Sequence, residues 1–235
     1  MTNEYLILDN KLHLEDEELN LSQIVFFLNI SVPKNPEDGQ TLENGYTVRV
    51  CKEPSGVLRE AYLEKSGTMN GQCLLYHEEG YIQGEMYYQE NQLHGPSIFY
   101  SSDGKVLARS YFVEGRQEGK THQYYRSGKL YSCQRFKEGQ WDGLQEYFYE
   151  NGTRKTLMPY VNGALDGVTQ LFQESGELTR EVHFQSGQRC GVETHWNEKG
   201  VKVIEAEYAN DHHCLYSKRW HDNTMLAEEI KYLDD

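Results

Sequence analysis

Seven consecutive segments of the chain superpose at a fixed spacing of 24 residues with no insertion, and a constant period of that length restricts the fold to a stack of like units. Gly71, Gly95, Gly119, Gly143, Gly167 and Gly191 keep this step, and Gly80, Gly104, Gly128, Gly152, Gly176 and Gly200 repeat it nine residues later. Two further series are aromatic throughout. One runs Tyr76, Tyr100, Tyr124, Phe148, Phe172, Trp196, Trp220, and the other Tyr88, Phe112, Phe136, Tyr160, Phe184, Tyr208, Tyr232. Only the last copy breaks the glycine series, at Leu215 and Thr224. An eighth, poorer copy lies upstream around Gly56, Leu58 and Tyr62, as expected of a terminal repeat with one side facing solvent.

Within a repeat the glycines follow turn formers, as in Asp142-Gly143, Asp166-Gly167, Asp103-Gly104, Asn151-Gly152 and Asn70-Gly71. Such pairs supply the positive φ of tight hairpin turns, and both series are read as hairpin turns. The runs between them, rich in Tyr, Phe, Val, Leu and Thr, suit strands better than helices. The second strand alternates. Ile82, Val106, Leu130, Leu178 and Leu226, then Met86, Met158, Val182, Ala206 and Ile230, then the ladder ending at Tyr232 form one set, with Glu85, Arg109, Glu181, Glu205 and Glu229 between them. This predicts a sheet with one apolar and one wet face. The expected fold is all-β: an elongated single-sheet meander of seven to eight 24-residue hairpins, advancing about 9–10 Å per repeat.

The stretch Tyr111-Phe112-Val113-Glu114-Gly115-Arg116-Gln117-Glu118-Gly119, continuing through Tyr124 to Gly128, resembles a MORN repeat, and more closely the bacterial variant of YwqK-type antitoxin proteins. The resemblance covers about 41–232, with repeats starting near 41, 65, 89, 113, 137, 161, 185 and 209. It implies a β-hairpin repeat in an elongated sheet, without enzymatic residues of its own, and a binding or scaffolding role. Standard MORN repeats are a residue shorter and open with Tyr-x-Gly-x-Trp, which this chain lacks, so their membrane association does not carry over.

Residues 1–40 stand apart as an acidic head. Glu4, Asp9, Glu15, Asp16, Glu17, Glu18, Glu37 and Asp38 against Lys11 and Lys34 contribute −6 of the formal −14. The run from Leu19 to Ile30 fits a strand or a short helix, and is expected to cap the open edge of the first hairpin or to dock a partner. Pro33 to Gly39 reads as the loop into the array. No basic region followed by an apolar stretch opens the chain, so a cytoplasmic protein is expected, with a secreted effector as the other address. A pI near 5.1 disfavours nucleic acid and anionic membrane, and favours a basic or mixed-charge protein partner. Five cysteines, Cys51, Cys73, Cys133, Cys190 and Cys214, show no CxxC pairing and suit a reducing compartment.

Few groups suggest chemistry. Asp211-His212-His213-Cys214 spells the signature of protein acyltransferases, but falls on the turn of the decayed last repeat. Cys190, His195, His212, His213, Cys214 and His221 offer zinc donors, the basis of a third reading as a zinc-dependent enzyme. No hydrolase elbow, phosphate loop or His-Glu-x-x-His motif occurs, and neither a cofactor nor a catalytic residue is assigned. Glu118, Asp142 and Asp166 share one turn phase, as turn chemistry or as an acidic ledge for a partner. Aromatics outside the invariant phases, Tyr87, Phe99, Tyr111, Tyr125, Tyr131, Tyr147 and Tyr149, have no evident duty in the repeat. They are read with that ledge as a partner-binding surface. The expected function is a non-catalytic protein-interaction module of antitoxin or immunity type, with a scaffold or effector, self-associating as a homodimer, as the alternative.

Overall fold

A computed structural model describes residues 30–232 and, nearer the N-terminus, the strand backbones Leu6–Leu8, Lys11–Leu14 and Glu17–Asn20. These three strands pair in sequence as a small antiparallel sheet. Most of the expected capping run, 21–29, lies outside the described residues. The chain divides into two compact units, 1–121 and 122–235. Each is a meander of antiparallel hairpins. The first runs from Thr47–Lys52 through Leu58–Lys65, Thr68–Tyr76, Ile82–Gln89 and Gln92–Tyr100 to Val106–Val113, and the second ends in Lys202–Asn210, His213–Trp220 and Leu226–Lys231.

Two turns punctuate each repeat, but one glycine series is not where the sequence suggested. The tight hairpins are two-residue loops with both φ positive: Glu90 and Asn91, Glu114 and Gly115, Glu138 and Gly139, Asn162 and Gly163, Ser186 and Gly187. The other turn closes by paired bonds such as Tyr149 N to Thr153 O and Gly152 N to Tyr149 O, both 2.9 Å, so the Gly80 series is a turn as expected. The Gly71 series instead sits at a kink within the pairing strands. Asp142 splits Gln140–Trp141 from Gly143–Phe148, its own N–H reaching Arg135 O at 3.1 Å. Glycine is required there twice over. Gly143 and Gly167 have φ of +96° and +116°, and a Cβ on either would meet Arg135 Cδ at 2.9 Å or Pro159 Cγ at 3.0 Å.

Register shifts also divide the presumed apolar face. Tyr147 pairs with Thr156 but Phe148 pairs with Arg154, so Lys155 is bulged out and the two pairs lie on opposite faces. Side-chain contacts agree: Arg154 reaches Glu146 at 3.7 Å, and Lys202 reaches Glu205 at 2.6 Å. The set led by Ile82 therefore shares a face with the aromatics Phe148 and Trp220, while Met158, Val182 and Ala206 lie on the other. Neither face is wholly wet, because the bulge recurs in other described hairpins and hands one aromatic ladder to each side.

In the first unit Val32, Tyr46, Val48, Ala61, Leu63 and Leu74 form a dry cluster, flanked by Ile30, Leu42, Val50 and Tyr76. Val32 N donates to Gln72 Oε1 at 2.8 Å, which ties the segment after residue 30 onto the face of the sheet. In the second unit the interior row is polar. Gln145 is fully buried. Its amide accepts from Arg135 N at 3.0 Å and donates to Arg135 O and Gly143 O at 3.1 Å, satisfying backbone groups that the kink takes out of the ladder. Thr169 follows one repeat later, and Glu193 one later again, both buried.

Glu193 is held by two arginines and a histidine. Arg180 donates from Nε and Nη2 at 2.9 and 2.8 Å, Arg189 from Nη1 at 3.0 Å, and His195 Nε2 lies 2.5 Å away. Arg189 Cζ also lies over the Tyr208 ring, 3.7 Å from its centre. Burial works to raise the Glu193 pKa, but the hydrogen bonds from His195 and Arg189 and the charge of Arg180 outweigh it and hold the carboxyl below its usual range.

Two outcomes follow from these contacts. Gly167→Ala and Gly176→Ala replace glycines with φ of +116° and +102°, but only Gly167 faces a wall of side chain. Both substitutions are expected to destabilise by about 1–3 kcal/mol, with Gly167→Ala the larger loss in urea unfolding; equal losses would show that the approach of Pro159 has no cost. Glu193→Gln is expected to destabilise the protein at neutral pH. A carboxyl whose pKa falls on folding stabilises above its unfolded value of 4.5 and loses that contribution as pH drops. The gap between wild type and Glu193→Gln therefore narrows on acidification through 4.5, as thermal melts at stepped pH will show.

Candidate surface for partner binding

The aromatics singled out by sequence separate into two groups. Tyr87 and Tyr111 are buried, 6% and 3% exposed, so they are not part of a docking surface. They pair across the strands with Gln72 and Pro96, the Tyr87 hydroxyl donates to Glu85 Oε1 at 2.8 Å, and burial pushes the Tyr111 pKa up to about 12. Phe99 is 36% exposed, its ring laid over Gly84, where an added Cβ would come within 3.2 Å of it. A shallow depression of about 200 Å³ in the same unit is lined by Gln89, Glu90, Gln92, His94 and Glu114, with Glu114 N donating to His94 Nδ1 at 3.4 Å.

Tyr125, Tyr131, Tyr147 and Tyr149 belong to one group in the second unit, all half-buried. Tyr131 meets Tyr125 edge-on at 5.2 Å and Tyr147 edge-on at 5.9 Å, the arrangement that ring quadrupoles favour. Tyr147 Oη accepts from Gln134 Nε2 at 2.7 Å, and Lys155 Nζ lies 5.5 Å over the Tyr149 ring.

Two of these tyrosines do have a duty in the repeat, contrary to expectation. The Tyr125 hydroxyl donates to Phe148 O at 2.8 Å, and the Tyr149 hydroxyl to Phe172 O at 2.9 Å. Both residues open a turn and reach the carbonyl of an invariant aromatic in the next repeat. Loss of hydration raises the Tyr125 pKa, as do its neighbours Tyr131, Glu150, Glu174 and Tyr149. Among the described residues the Tyr131 hydroxyl has no hydrogen-bond partner. Strand Leu130–Lys137, which follows the turn opened by Tyr125, sets the Tyr131 ring between two others, with the carboxylates of Glu150 and Glu174 exposed nearby.

The acidic phase also has structural work. Asp142 Oδ2 accepts from Asn162 N at 3.2 Å, and Asp166 Oδ2 from Ser186 N at 3.0 Å. Each carboxylate steadies the positive-φ residue of the next hairpin turn, φ 49° and 52°. Glu118 holds the same phase. The partner ledge drawn from these three is thus turn chemistry at Asp142 and Asp166.

The zinc donors do not converge. Among the described residues no three His, Cys, Asp or Glu side chains form a cation site. His195 is bound to Glu193, and Cys214 Sγ donates to Tyr216 O at 3.2 Å. Asp211 accepts from Arg189 N at 2.8 Å and with His212 turns the chain between Lys202–Asn210 and His213–Trp220, so Asp211-His212 is a hairpin turn and His213-Cys214 begin the strand after it. The buried polar row escaped attention in the sequence, although Ser97, Thr121, Gln145, Thr169 and Glu193 keep the 24-residue step. Among the described residues no helix is long and apolar enough to cross a membrane.

None of the curated proteins compared with the chain matches it. The family model of the MORN repeat variant matches residues 141–162, the hairpin of Gly143–Phe148 and Arg154–Val161. Two of the four clustered tyrosines, Tyr147 and Tyr149, fall inside that match, so the hairpin that carries them is similar to a MORN repeat variant.

Proposed function

We propose that the chain is a non-catalytic module that grips one partner protein through its second unit, in the manner of an immunity or antitoxin-like protein. The observation that carries this reading is the half-buried ring of Tyr131, set between Tyr125 and Tyr147 on a hydrogen-bonded frame. Tyrosine presents a wide amphipathic face and loses only two torsions on binding, which suits it to the centre of an interface. Exposed Glu150 and Glu174 and the formal charge of −14 favour a partner with basic or mixed charge. A cytoplasmic address agrees with five free cysteines. Residues 1–40 serve as a cap to the array of 41–232 in this reading.

Affinity capture from the source organism, followed by calorimetry with the purified partner, tests the proposal. Tyr131→Ala is expected to weaken binding at least tenfold, about 1.4 kcal/mol. Tyr125→Phe and Tyr149→Phe, which remove only the hydroxyl ties, are expected to lower stability by about 1 kcal/mol each and to alter affinity less. Unchanged affinity in Tyr131→Ala would move the interface elsewhere. Several weak partners in place of one stoichiometric complex would favour the scaffold.

A further inference from the structure

Among the described residues of its own unit, strand Leu226–Lys231 is paired along one side only: Lys231, Ile230, Glu229 and Glu228 oppose Tyr216, Ser217, Lys218 and Arg219 of the preceding strand. Its six residues are all exposed. Ile230 is 37% and Tyr232 47% exposed, whereas Val182 and Ala206, which hold the phase of Ile230 in earlier repeats, are buried. The first strand of the array differs. The outer side of Thr47–Lys52 is filled from 38–42, with Gly39 N to Val48 O at 2.9 Å, Val48 N to Gln40 O at 2.8 Å and a bridge between Thr41 and Thr47.

We propose that Leu226–Lys231 pairs with the same strand of a second copy of this chain, antiparallel about a two-fold axis at Ile230. The hydrogen-bond alternation supports that centre. Tyr232 N donates inward to Leu215 O at 3.0 Å, so the backbone groups of Ile230 and Glu228 also face inward, and those of Glu229 and Lys231 face out. A two-fold axis normal to a sheet keeps each face on its own side, so only residues of like parity oppose one another. With Ile230 at the axis, the two Ile230 side chains meet at a non-hydrogen-bonded pair, where strands approach to about 4.5 Å. Glu229 of each copy then opposes Lys231 of the other in the two flanking hydrogen-bonded pairs, and Glu228 opposes Tyr232. Centres at Glu228 or Glu229 would instead set like carboxylates face to face, which is unfavourable. The contact is self-complementary and closes as a dimer, and the filled side of Thr47–Lys52 opposes further growth.

Charge reversal tests the register with the full chain. Light scattering on the wild type is expected to give twice 27.4 kDa at micromolar concentration. Lys231→Glu alone faces two acidic pairs, and Glu229→Lys alone two basic ones. Each is expected to raise the dimer dissociation constant at least about tenfold. Mixing the two variants restores opposite charges in both pairs and is expected to recover the dimer, which also answers the loss of the Lys218 contact to Glu229, 3.6 Å, in the second variant. A wild type of 27.4 kDa throughout overturns the proposal. So do single variants that dimerise like the wild type, or a mixture that stays monomeric. The tyrosine surface is untouched by any of these results.

Discussion

The kink ahead of each repeated glycine is the constraint on which the rest of the structure depends. A strand that kinks there withdraws backbone groups from its ladder, and buried groups of that kind must find partners. Gln145 supplies them in one repeat, with three bonds from one amide. The same interior position then becomes a place where polar side chains are tolerated, and Glu193 occupies it with two guanidinium groups and an imidazole around it. The polar interior of the second unit is thus a result of its backbone geometry.

The bulge after the second turn works on the side chains as the kink works on the backbone. By skipping one residue per repeat it sends the residue before the bulge, such as Arg154 or Lys202, to the opposite face from Met158 or Ala206. Both faces thereby receive an aromatic ladder. Lys202 lies 4.5 Å over Trp220 on one of them, and Trp141 meets Tyr160 edge-on at 4.8 Å on the other.

Much of this was legible in the sequence, because a period survives substitution. The hairpins, the Gly80 turns and the decay of the last copy all follow from spacing. Bulges were not legible, since strict alternation assigns every second residue to one face and only register shows the skipped one. Tyr87 and Tyr111 were misplaced for that reason, and because nothing in their own repeats shows that they are covered. The duty of Tyr125 and Tyr149 was hidden differently: their acceptors are main-chain carbonyls, which leave no trace in side-chain patterns. The polar row from Ser97 to Glu193 was fully visible as a series, but polar residues at a fixed phase read as surface.

A bond from a side chain to the main chain of the next hairpin makes no demand on the side chain that residue carries. The carbonyl that receives the Tyr149 hydroxyl belongs to Phe172, yet any residue there would offer the same oxygen. A copied hairpin that carries its own turn tyrosine would therefore find its acceptor in whichever hairpin follows. Duplication can lengthen such an array without re-selecting the joint, and neighbouring copies can diverge in sequence while remaining fastened.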